Sequence, residues 1–248
     1  MSARYTTSLS RDNVTNFINA FAFSESKGTP FTAFVTIDWS LTQGWSEAIH
    51  QERQSKFISR MNRWLRKHST VPCYVWVLEA ARKRSVSDLL TRHQVHQHLA
   101  VHVPKRLFVD FIRKFNSFIP GHSGNPYIVH FERDHETDPP KYYFHFNQRL
   151  GGVLYRLKGI NHALTFNAPS GRENLAAHLG IQHRGVQGVV LSKRSGVSHS
   201  LGLRQRLRAG WDEATSPDAL AALLQPIPKR PSRSGQSAHQ DSGLLVAA

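Results

Sequence analysis

The amino-acid sequence predicts an α+β domain built on an antiparallel sheet, and three observations lead to this prediction. Four β-branched and aromatic runs alternate with segments of helical apolar spacing in the order β-α-β-β-α-β. The 248 residues are enough for one ordinary domain with appendages. Their composition, 40% hydrophobic and 20% charged, is typical of a globular protein.

The first half of this pattern contains a strand, a helix and a second strand. The run FTAFVTIDW, residues 31–39, is predicted to be a strand because it is rich in β-branched and aromatic residues. Residues 46–68 are predicted to be a helix because their apolar side chains recur at helical spacing, as Phe57, Met61, Trp64 and Leu65. The run VPCYVWVLEA, residues 71–80, is apolar on both faces and is therefore expected to be a central strand.

The second half repeats the pattern in the order strand, helix, strand. VHQHLAVHVP (residues 95–104) is the third predicted strand, and KRLFVDFIRKFNSFI (residues 105–119) is a helix with one apolar stripe. YIVHFERD, residues 127–134, is the fourth strand. This split βαβ order predicts a ferredoxin-like or RRM-like antiparallel sheet, with both helices on one face and the other face free for a ligand.

Composition divides the chain into four segments. Residues 1–28 are predicted to be an N-terminal extension, and residues 29–165 form the main domain. Residues 166–210 are rich in Gly, Ser, Arg and Lys and are predicted to be a basic extension. Residues 211–248 are rich in Pro, Ser and Ala and are expected to be a disordered tail. Within the main domain, residues 141–150 fit either a further strand or the approach to a helix.

The charge of the chain indicates the class of its partner. Lys and Arg total 32 against 17 acidic residues, a net charge of +15, which favours a polyanion. The sequence has neither the ~20-residue apolar run of a spanning helix nor the apolar core of a signal peptide. We therefore expect nucleic acid rather than a membrane as the partner. The single cysteine, Cys73, rules out an internal disulfide, suits the cytoplasm and is expected to be buried.

The third predicted strand carries closely spaced histidines. Because side chains alternate along a strand, two sets of four are expected to face opposite sides: Val95, Leu99, Val101 and Val103 on one, and His96, His98, Ala100 and His102 on the other. Two imidazoles at positions i and i+2, with Cβ atoms ~7 Å apart, are able to converge on one divalent cation. Glu79, near the end of the preceding strand, is the natural carboxylate to complete that cluster.

Each of these signals also has an ordinary explanation. With 15 histidines in the chain, a His-x-His pair arises by chance, and an exposed basic face also contacts phosphates. Glu79 on its own is equally consistent with a solvated strand end. His102 lies ~13 Å from His98 along the strand and is therefore a poor candidate for the same metal ion.

Tyr155 and Lys158, in GGVLYRLKG, are three residues apart and are expected to share one face of a short helix. A phenol is a sound covalent acceptor of a phosphoryl group, because it is a better leaving group than an alkoxide and the linkage is reversible. A metal on the histidines would offset charge that develops on the phosphate. The alternative is a half-buried aromatic residue that packs on the domain.

Together these motifs resemble those of the HUH endonucleases, in particular the initiators of rolling-circle replication. FTAFVTIDW is similar to the first motif of that family, VHQHLAVHVP to the His-x-His motif and YRLKG to the Y-x-x-K motif. VWVLE before the histidine strand, HVP at its end and KG after the tyrosine are also similar. The resemblance covers residues 31–160, about half of the chain.

The resemblance implies a metal-dependent enzyme that nicks and joins single-stranded DNA at a specific site. It implies that His96 and His98 bind Mg²⁺ or Mn²⁺ with Glu79 as a candidate third ligand, that Tyr155 is the nucleophile, and that Lys158 positions or stabilises the phosphate or the metal site. The product would be a 5′-phosphotyrosine link and a free 3′-hydroxyl. The implied partners are single-stranded or hairpin origin DNA and a host replication helicase or polymerase.

The chain departs from the family pattern at several positions. Gln97 separates the histidines, where the family has a bulky apolar residue, and Glu79 stands 17 residues before His96. Tyr142 and Tyr143 are competing nucleophiles, although neither has a Lys at the matching distance. No Walker-type phosphate loop is present in the sequence, so we expect no fused helicase.

A basic segment lies between residues 191 and 210, and it contains no acidic residue. We expect it to contact the DNA backbone without sequence preference through Lys193, Arg194, Arg204, Arg206 and Arg208. A solvated loop is the equally simple alternative.

The preferred interpretation is a replication initiator of a small plasmid or phage. A single-tyrosine transposase or a relaxase uses the same chemistry. A non-catalytic RRM-like module, which stacks bases on aromatic residues of an open sheet face, is the alternative from a different class. Such a module has no need for His-x-His beside Y-x-x-K. A structural zinc protein is disfavoured because the chain has one cysteine.

Overall fold

The computed structural model describes residues 5–82, 93–132, 146–182, 189–191 and 193–225. Its strands and helices follow one another along the chain as β1 (Tyr5–Thr6), α1 (Arg11–Ser26), β2 (Ala33–Asp38), α2 (Glu47–Lys67), β3 (Tyr74–Arg82), β4 (His93–Val101), α3 (Phe108–Phe115), β5 (Val129–Phe131), α4 (Phe146–Arg156), β6 (Thr165–Ala168), β7 (Gly171–Asn174), α5 (Leu175–His178), β8 (Val190–Leu191), β9 (Ser195–Val197), α6 (Leu203–Arg208) and α7 (Pro217–Leu223). The predicted order β-α-β-β-α-β is present from β2 to β5.

The centre of the protein is a five-stranded sheet in the order β5-β2-β4-β3-β9, and every neighbouring pair of strands is antiparallel. The prediction of an α+β protein with an antiparallel sheet is therefore confirmed. The histidine strand β4 lies in the middle of the sheet, between β2 and β3. Asp38 and Glu79 both lie opposite His96 in the register, and Thr36 lies opposite His98.

One face of the sheet packs on α2 and α3, as predicted. The apolar side chains of β4 form a buried core with those of the two helices, including Leu99, Val101, Phe57, Met61, Leu65, Phe108, Phe111 and Phe115. Burial of these side chains provides the main stabilisation of this layer, at about 1.5–3 kcal/mol for each large apolar side chain. Cys73 is also buried, as expected.

The opposite face of the sheet is covered, which corrects the expectation of a free face. A second buried core joins side chains of β2 and β3, such as Phe34 and Val77, to side chains of α1 and α4, such as Phe21 and Val153. The prediction was wrong because it considered only the two helices inside the β-α-β-β-α-β unit. Helices from both ends of the chain return to this face.

The N-terminal segment is part of the folded core rather than an extension. Helix α1 begins at the N-cap Ser10, whose hydroxyl accepts a hydrogen bond from the backbone N–H of Asn13. Its side chains Phe17, Ile18 and Phe21 are buried. The apolar residues of this segment therefore form the buried side of a helix, which corrects the prediction of an N-terminal extension.

The segment after residue 165 also belongs to the fold. Strand β9 extends the central sheet by pairing with β3, with Trp76 opposite Gly196. A Cβ on Gly196 would lie 2.6 Å from the indole ring of Trp76, so this pairing requires a glycine. Helix α7 contributes buried Leu220 to the core around α1. The disordered tail predicted for residues 211–248 is therefore wrong for residues 211–225, which are folded, whereas residues 226–248 lie outside the described residues.

No helix in the described ranges has both the length and the apolar character that crossing a membrane requires.

Candidate functional site

The candidate site begins as two rows of side chains that run across three strands. Asp38 on β2, His96 on β4 and Glu79 on β3 are aligned in the register, and Thr36 and His98 form the next row. Residues directly opposite one another on an antiparallel sheet project from the same face, with Cβ atoms about 4.5–5.5 Å apart. The sheet therefore brings two imidazoles and two carboxylates to one place.

His98 is fixed on both sides by hydrogen-bond partners. Its Nδ1 lies 3.0 Å from Oγ1 of Thr36, and its Nε2 lies 2.9 Å from Oε2 of Glu79. Burial lowers the pKa of His98, and the hydrogen bond with Glu79 opposes this effect only in part. A neutral imidazole is the form that binds a metal ion, and such an orienting partner on the second nitrogen is typical of metal-bound histidines.

Glu79 is the electrostatic centre of the site. Its Oε2 contacts both Nε2 of His98 and Nζ of Lys158, the latter at 2.7 Å. Burial by itself would raise the pKa of Glu79, but the hydrogen bonds from His98 and Lys158 lower it to about 2. The carboxylate is therefore ionised at neutral pH.

His96 lies closer to solvent, with 28% of its side chain exposed. Its Nε2 is 3.3 Å from Oδ2 of Asp38, while Oδ1 of Asp38 accepts hydrogen bonds from the backbone N–H and the hydroxyl of Ser40. Burial opposes ionisation of Asp38, but the contacts with His96 and Ser40 lower its pKa overall. Asp38 was missed in the sequence, although alternation along TIDW places it on the same face as Thr36.

Helix α4 carries the tyrosine motif onto this face of the sheet. Gly152 permits a close approach to β2, because a Cβ at that position would lie 2.9 Å from the ring of Phe34. Arg156 is buried beneath the helix, where its Nη2 donates to Oε1 of Glu132 at 2.8 Å and its guanidinium lies 4.6 Å from the Phe34 ring centre. These contacts hold α4 at a defined distance from the histidine strand.

Tyr155 lies beside His98, and its ring is in contact with Lys158. The ring centres of Tyr155 and His98 are 5.6 Å apart, and the two rings meet edge to face. Nζ of Lys158 lies 3.9 Å from the centre of the Tyr155 ring, so the two residues share a face as the sequence indicated. Tyr155 remains 37% exposed, which leaves its ring accessible to a ligand.

The donor atoms fit a divalent cation in their chemistry but are engaged with one another. Two imidazoles and two carboxylates are ligand types that suit ions such as Mn²⁺. Within the part of the chain that the structure describes, no three His, Cys, Asp or Glu side chains are arranged around a common metal position. The ammonium of Lys158 lies against Oε2 of Glu79, where it neutralises the charge that a cation would otherwise meet. A metal ion that used this oxygen of Glu79 as a ligand would have to compete with Lys158 for it.

The third histidine of this strand face lies outside the cluster. His102 lies against the backbone carbonyl of Pro30, with its Nδ1 2.7 Å from that oxygen, and takes no part in the cluster. Tyr142 and Tyr143 are outside the described residues. Gln97 projects to the opposite face, where its Oε1 accepts a hydrogen bond from Nε1 of Trp39 at 3.1 Å.

The basic residues of the C-terminal segment divide into an exposed set and a buried set. Lys193, Arg204 and Arg208 are exposed and remain candidates for contact with DNA. Arg194 is buried and donates to the backbone carbonyls of Leu78 and Thr6.

Arg206 is the second buried member of that basic segment. It pairs with Glu213 and donates to Oδ1 of Asn16. A guanidinium that satisfies buried protein groups is not available to a phosphate. We therefore remove Arg194 and Arg206 from the set of expected DNA contacts.

Comparisons with known proteins identify no relative of this chain. No protein-family model, no curated protein and no solved structure matches the chain. Its function must accordingly be inferred from the geometry of the site and from the resemblance of its short motifs.

Proposed function

We propose that this protein is a metal-dependent DNA endonuclease and strand transferase of the HUH type. In this proposal its fold is a ferredoxin-like unit, from β2 to β5, extended at one edge by β9. The site would nick and rejoin one DNA strand to initiate rolling-circle replication of a plasmid or phage. A single-tyrosine transposase or relaxase would use the same groups in the same way.

The observation that carries this proposal is the meeting of Tyr155, Lys158, Glu79 and His98. Glu79 and His98 lie on the consecutive strands β3 and β4, whereas Tyr155 and Lys158 lie in and just after α4, much later in the chain, yet each of the four contacts at least one of the others. A tyrosine in contact with a histidine and a lysine, both of which pair with an ionised carboxylate, has the neighbours that phosphoryl transfer to a phenol would use. No structural role of the short helix demands this combination.

The proposed reaction exchanges one phosphate ester for another. The phenol oxygen of Tyr155 would attack the scissile phosphorus, forming the Tyr–O–P bond while the bond from phosphorus to the 3′-oxygen breaks. The proton of the phenol is lost to solvent and one is gained by the departing 3′-oxygen, so the products are a 5′-phosphotyrosine and a 3′-hydroxyl. Lys158, adjacent to the ring, would stabilise the negative charge of the phosphate.

Residues His96, His98 and Glu79 would hold Mg²⁺ or Mn²⁺, and Asp38 joins this set as a further carboxylate at His96. A divalent cation held there would offset the charge that develops on the phosphate oxygens. Thr36 would keep the imidazole of His98 in a fixed orientation.

Charge supports DNA as the partner. The net charge of +15, together with exposed Lys193, Arg204 and Arg208, would attract single-stranded or hairpin origin DNA. The free 3′-hydroxyl would serve a host polymerase and helicase in the cytoplasm. The RRM-like alternative depends on an open sheet face, whereas α1 and α4 pack on that face here.

A covalent adduct assay tests this proposal. The purified protein is incubated with a pool of end-labelled single-stranded oligonucleotides and Mn²⁺, and the products are separated on a denaturing gel. We expect label to migrate with the protein, and we expect His96→Ala and His98→Ala each to abolish this signal while DNA binding persists. Equal adduct in the presence of a chelator, or in both histidine variants, would contradict a metal-dependent nickase.

A further inference from the structure

A cavity lined mostly by polar residues lies at the edge of the sheet, away from the candidate site. It has a volume of about 370 Å³ and lies between the end of α2, the start of β3 and the turn after β9. This volume lies within the range of about 300–1,000 Å³ that small-molecule sites occupy. The cavity is lined by Asn62, Arg66, Ser69, Thr70, Val71, Pro72, Tyr74, Ser198, His199 and Ser200.

The side chains that line the cavity are suited to bind a ligand that carries both a negative charge and a polar ring. Arg66 and His199 are both exposed at the cavity, and none of the described residues that line it is acidic. Deeper in the cavity, Nδ2 of Asn62 donates to the hydroxyl of Tyr74 at 3.3 Å, which leaves the Tyr74 O–H able to donate to a ligand. The Oδ1 atom of Asn62 is buried and has no hydrogen-bond partner among the described residues.

The buried amide oxygen of Asn62 exposes almost no surface to the cavity, so the hydroxyl of Tyr74 is the polar group at this level that a ligand is able to reach. A nucleobase presents N–H donors and carbonyl acceptors side by side on one edge. The Tyr74 O–H is able to donate to an acceptor on such an edge, and the exposed side chain of Val71 provides an apolar wall at the rim.

Basic residues flank the cavity on two sides. From residue 53 to residue 78 the chain contains no acid, and Arg63, Arg66 and Lys67 are exposed at the end of α2. On the other side, α6 begins shortly after Ser200 and exposes Arg204 and Arg208. A strand of nucleic acid that crosses the cavity would therefore meet positive charge before and after it.

From these observations we infer that the cavity is a nucleotide subsite, which holds one base and its phosphate from the single-stranded DNA bound by this protein. The inference rests on the proposed function for the identity of the polymer. Tyr74 and Glu79 lie five residues apart on β3, about 17 Å at the usual rise of a strand. DNA held at Tyr155 would reach the subsite around the edge strand β9.

In this arrangement the residues exposed at the cavity and the residues deeper in it would have different roles in DNA binding. Arg66 and His199 bind the phosphate and contribute to affinity with every sequence, whereas Tyr74, oriented by the amide of Asn62, distinguishes one base from another. The subsite would thus supply part of the sequence preference that the exposed lysines and arginines alone do not provide.

Fluorescence anisotropy with labelled single-stranded oligonucleotides that differ at one base tests the inference. We expect Arg66→Ala to weaken binding about tenfold for all sequences, but Arg60→Ala by no more than about twofold, because Arg60 is an exposed arginine of α2 outside the cavity. We expect Tyr74→Phe to reduce the preference between bases and to leave the mean affinity nearly unchanged. Thermal melting verifies that each variant is folded.

Equal effects of Arg66→Ala and Arg60→Ala would overturn the subsite and indicate diffuse electrostatic binding. If Tyr74→Phe is unstable, the comparison of Arg66→Lys with Arg66→Ala decides, with partial recovery expected for a bidentate phosphate contact and full recovery expected for diffuse electrostatic binding. The covalent adduct is scored separately. If Arg66→Ala loses binding and the wild type forms no covalent adduct, the nickase proposal fails and the subsite is retained. If the wild type forms the adduct and Arg66→Ala binds DNA as tightly as Arg60→Ala, the subsite fails and the nickase proposal is retained.

Discussion

Nζ of Lys158 lies 2.7 Å from Oε2 of Glu79, the same carboxylate oxygen that lies 2.9 Å from Nε2 of His98. The lysine of the tyrosine motif is thus paired with the carboxylate proposed as a metal ligand. Opposite charges in a partly buried site attract strongly because they are poorly screened. In the proposed mechanism a cation bound at Glu79 would compete with Lys158 for this oxygen, and its binding would release the ammonium towards a phosphate.

This competition predicts opposite effects of one substitution on two measurements. Lys158→Gln removes the ammonium, so we expect the affinity for Mn²⁺, measured by calorimetric titration, to rise about tenfold, or 1.4 kcal/mol. We expect adduct formation to fall at least about tenfold, because the phosphate loses its neighbouring charge. Unchanged or weaker Mn²⁺ binding in this variant would show that Glu79 is not a metal ligand.

Asp38 supplies a second test of the metal site. If its carboxylate orients or shares the cation with His96, then Asp38→Asn is expected to weaken Mn²⁺ binding about 10–100-fold. The same titration measures this change. Glu52→Gln is the matched control, since Glu52 is an exposed carboxylate on α2 that pairs with Lys56. Equal affinities of the two variants would exclude Asp38 from the site.

Two adjacent glycines of α4 test whether the distance between α4 and β2 matters. We expect Gly152→Ala to destabilise the protein by about 1–3 kcal/mol and to reduce adduct formation, because its Cβ would overlap the Phe34 ring. Gly151 has open space around it, so Gly151→Ala is expected to stabilise the helix by about 0.5–1 kcal/mol and to keep full activity. Urea unfolding and the adduct assay measure both. If Gly152→Ala and Gly151→Ala had the same stability and formed the same amount of adduct, the proposed role of the close approach between α4 and β2 would be contradicted.

His50 predicts how stability depends on pH. Burial lowers the pKa of His50 to about 4, and neither ring nitrogen has a hydrogen-bond partner among the described residues. The unfolded chain therefore binds a proton between pH 6.5 and 4 that the folded protein excludes. Stability is full above pH 6.5 and falls as the pH drops towards 4, by about 3 kcal/mol from this residue.

A comparison of His50→Leu with the wild type isolates this contribution. Urea unfolding at a series of pH values is expected to show a shallower loss of stability in the variant between pH 6.5 and 4. Part of the loss should remain, because burial also lowers the pKa of His98 and His102. If the free energy of unfolding fell with pH equally in the wild type and in His50→Leu, His50 would not titrate between pH 6.5 and 4.

The sequence predicted four of the five strands of the central sheet because their signals are local, but it did not predict β9. Alternation along β4 separated the side chains that pack on α2 and α3 from His96 and His98, and both helices were visible from their apolar spacing. The position of Asp38 beside His96 depends on the register between β2 and β4. No local pattern encodes that register, so this carboxylate was missed.

The errors arose where long-range contacts determine the structure. Arg194 and Arg206 have the sequence context of exposed basic residues, but their partners include Thr6 and Asn16, which are more than 180 positions away. For the same reason, the sequence of α1 did not indicate that this helix covers a face of the sheet. The buried face of a helix is defined by what packs on it, and here those partners include α7 at the other end of the described chain.

The central claim is that the phenol of residue 155 becomes bonded to DNA, and mass spectrometry of the covalent adduct tests it most directly. After protease and nuclease digestion, we expect the phosphonucleotide mass on the peptide that contains Tyr155, and we expect no adduct from Tyr155→Phe although this variant still binds DNA. A modified peptide that contains Tyr142 or Tyr143 instead, with undiminished adduct from Tyr155→Phe, would contradict the account.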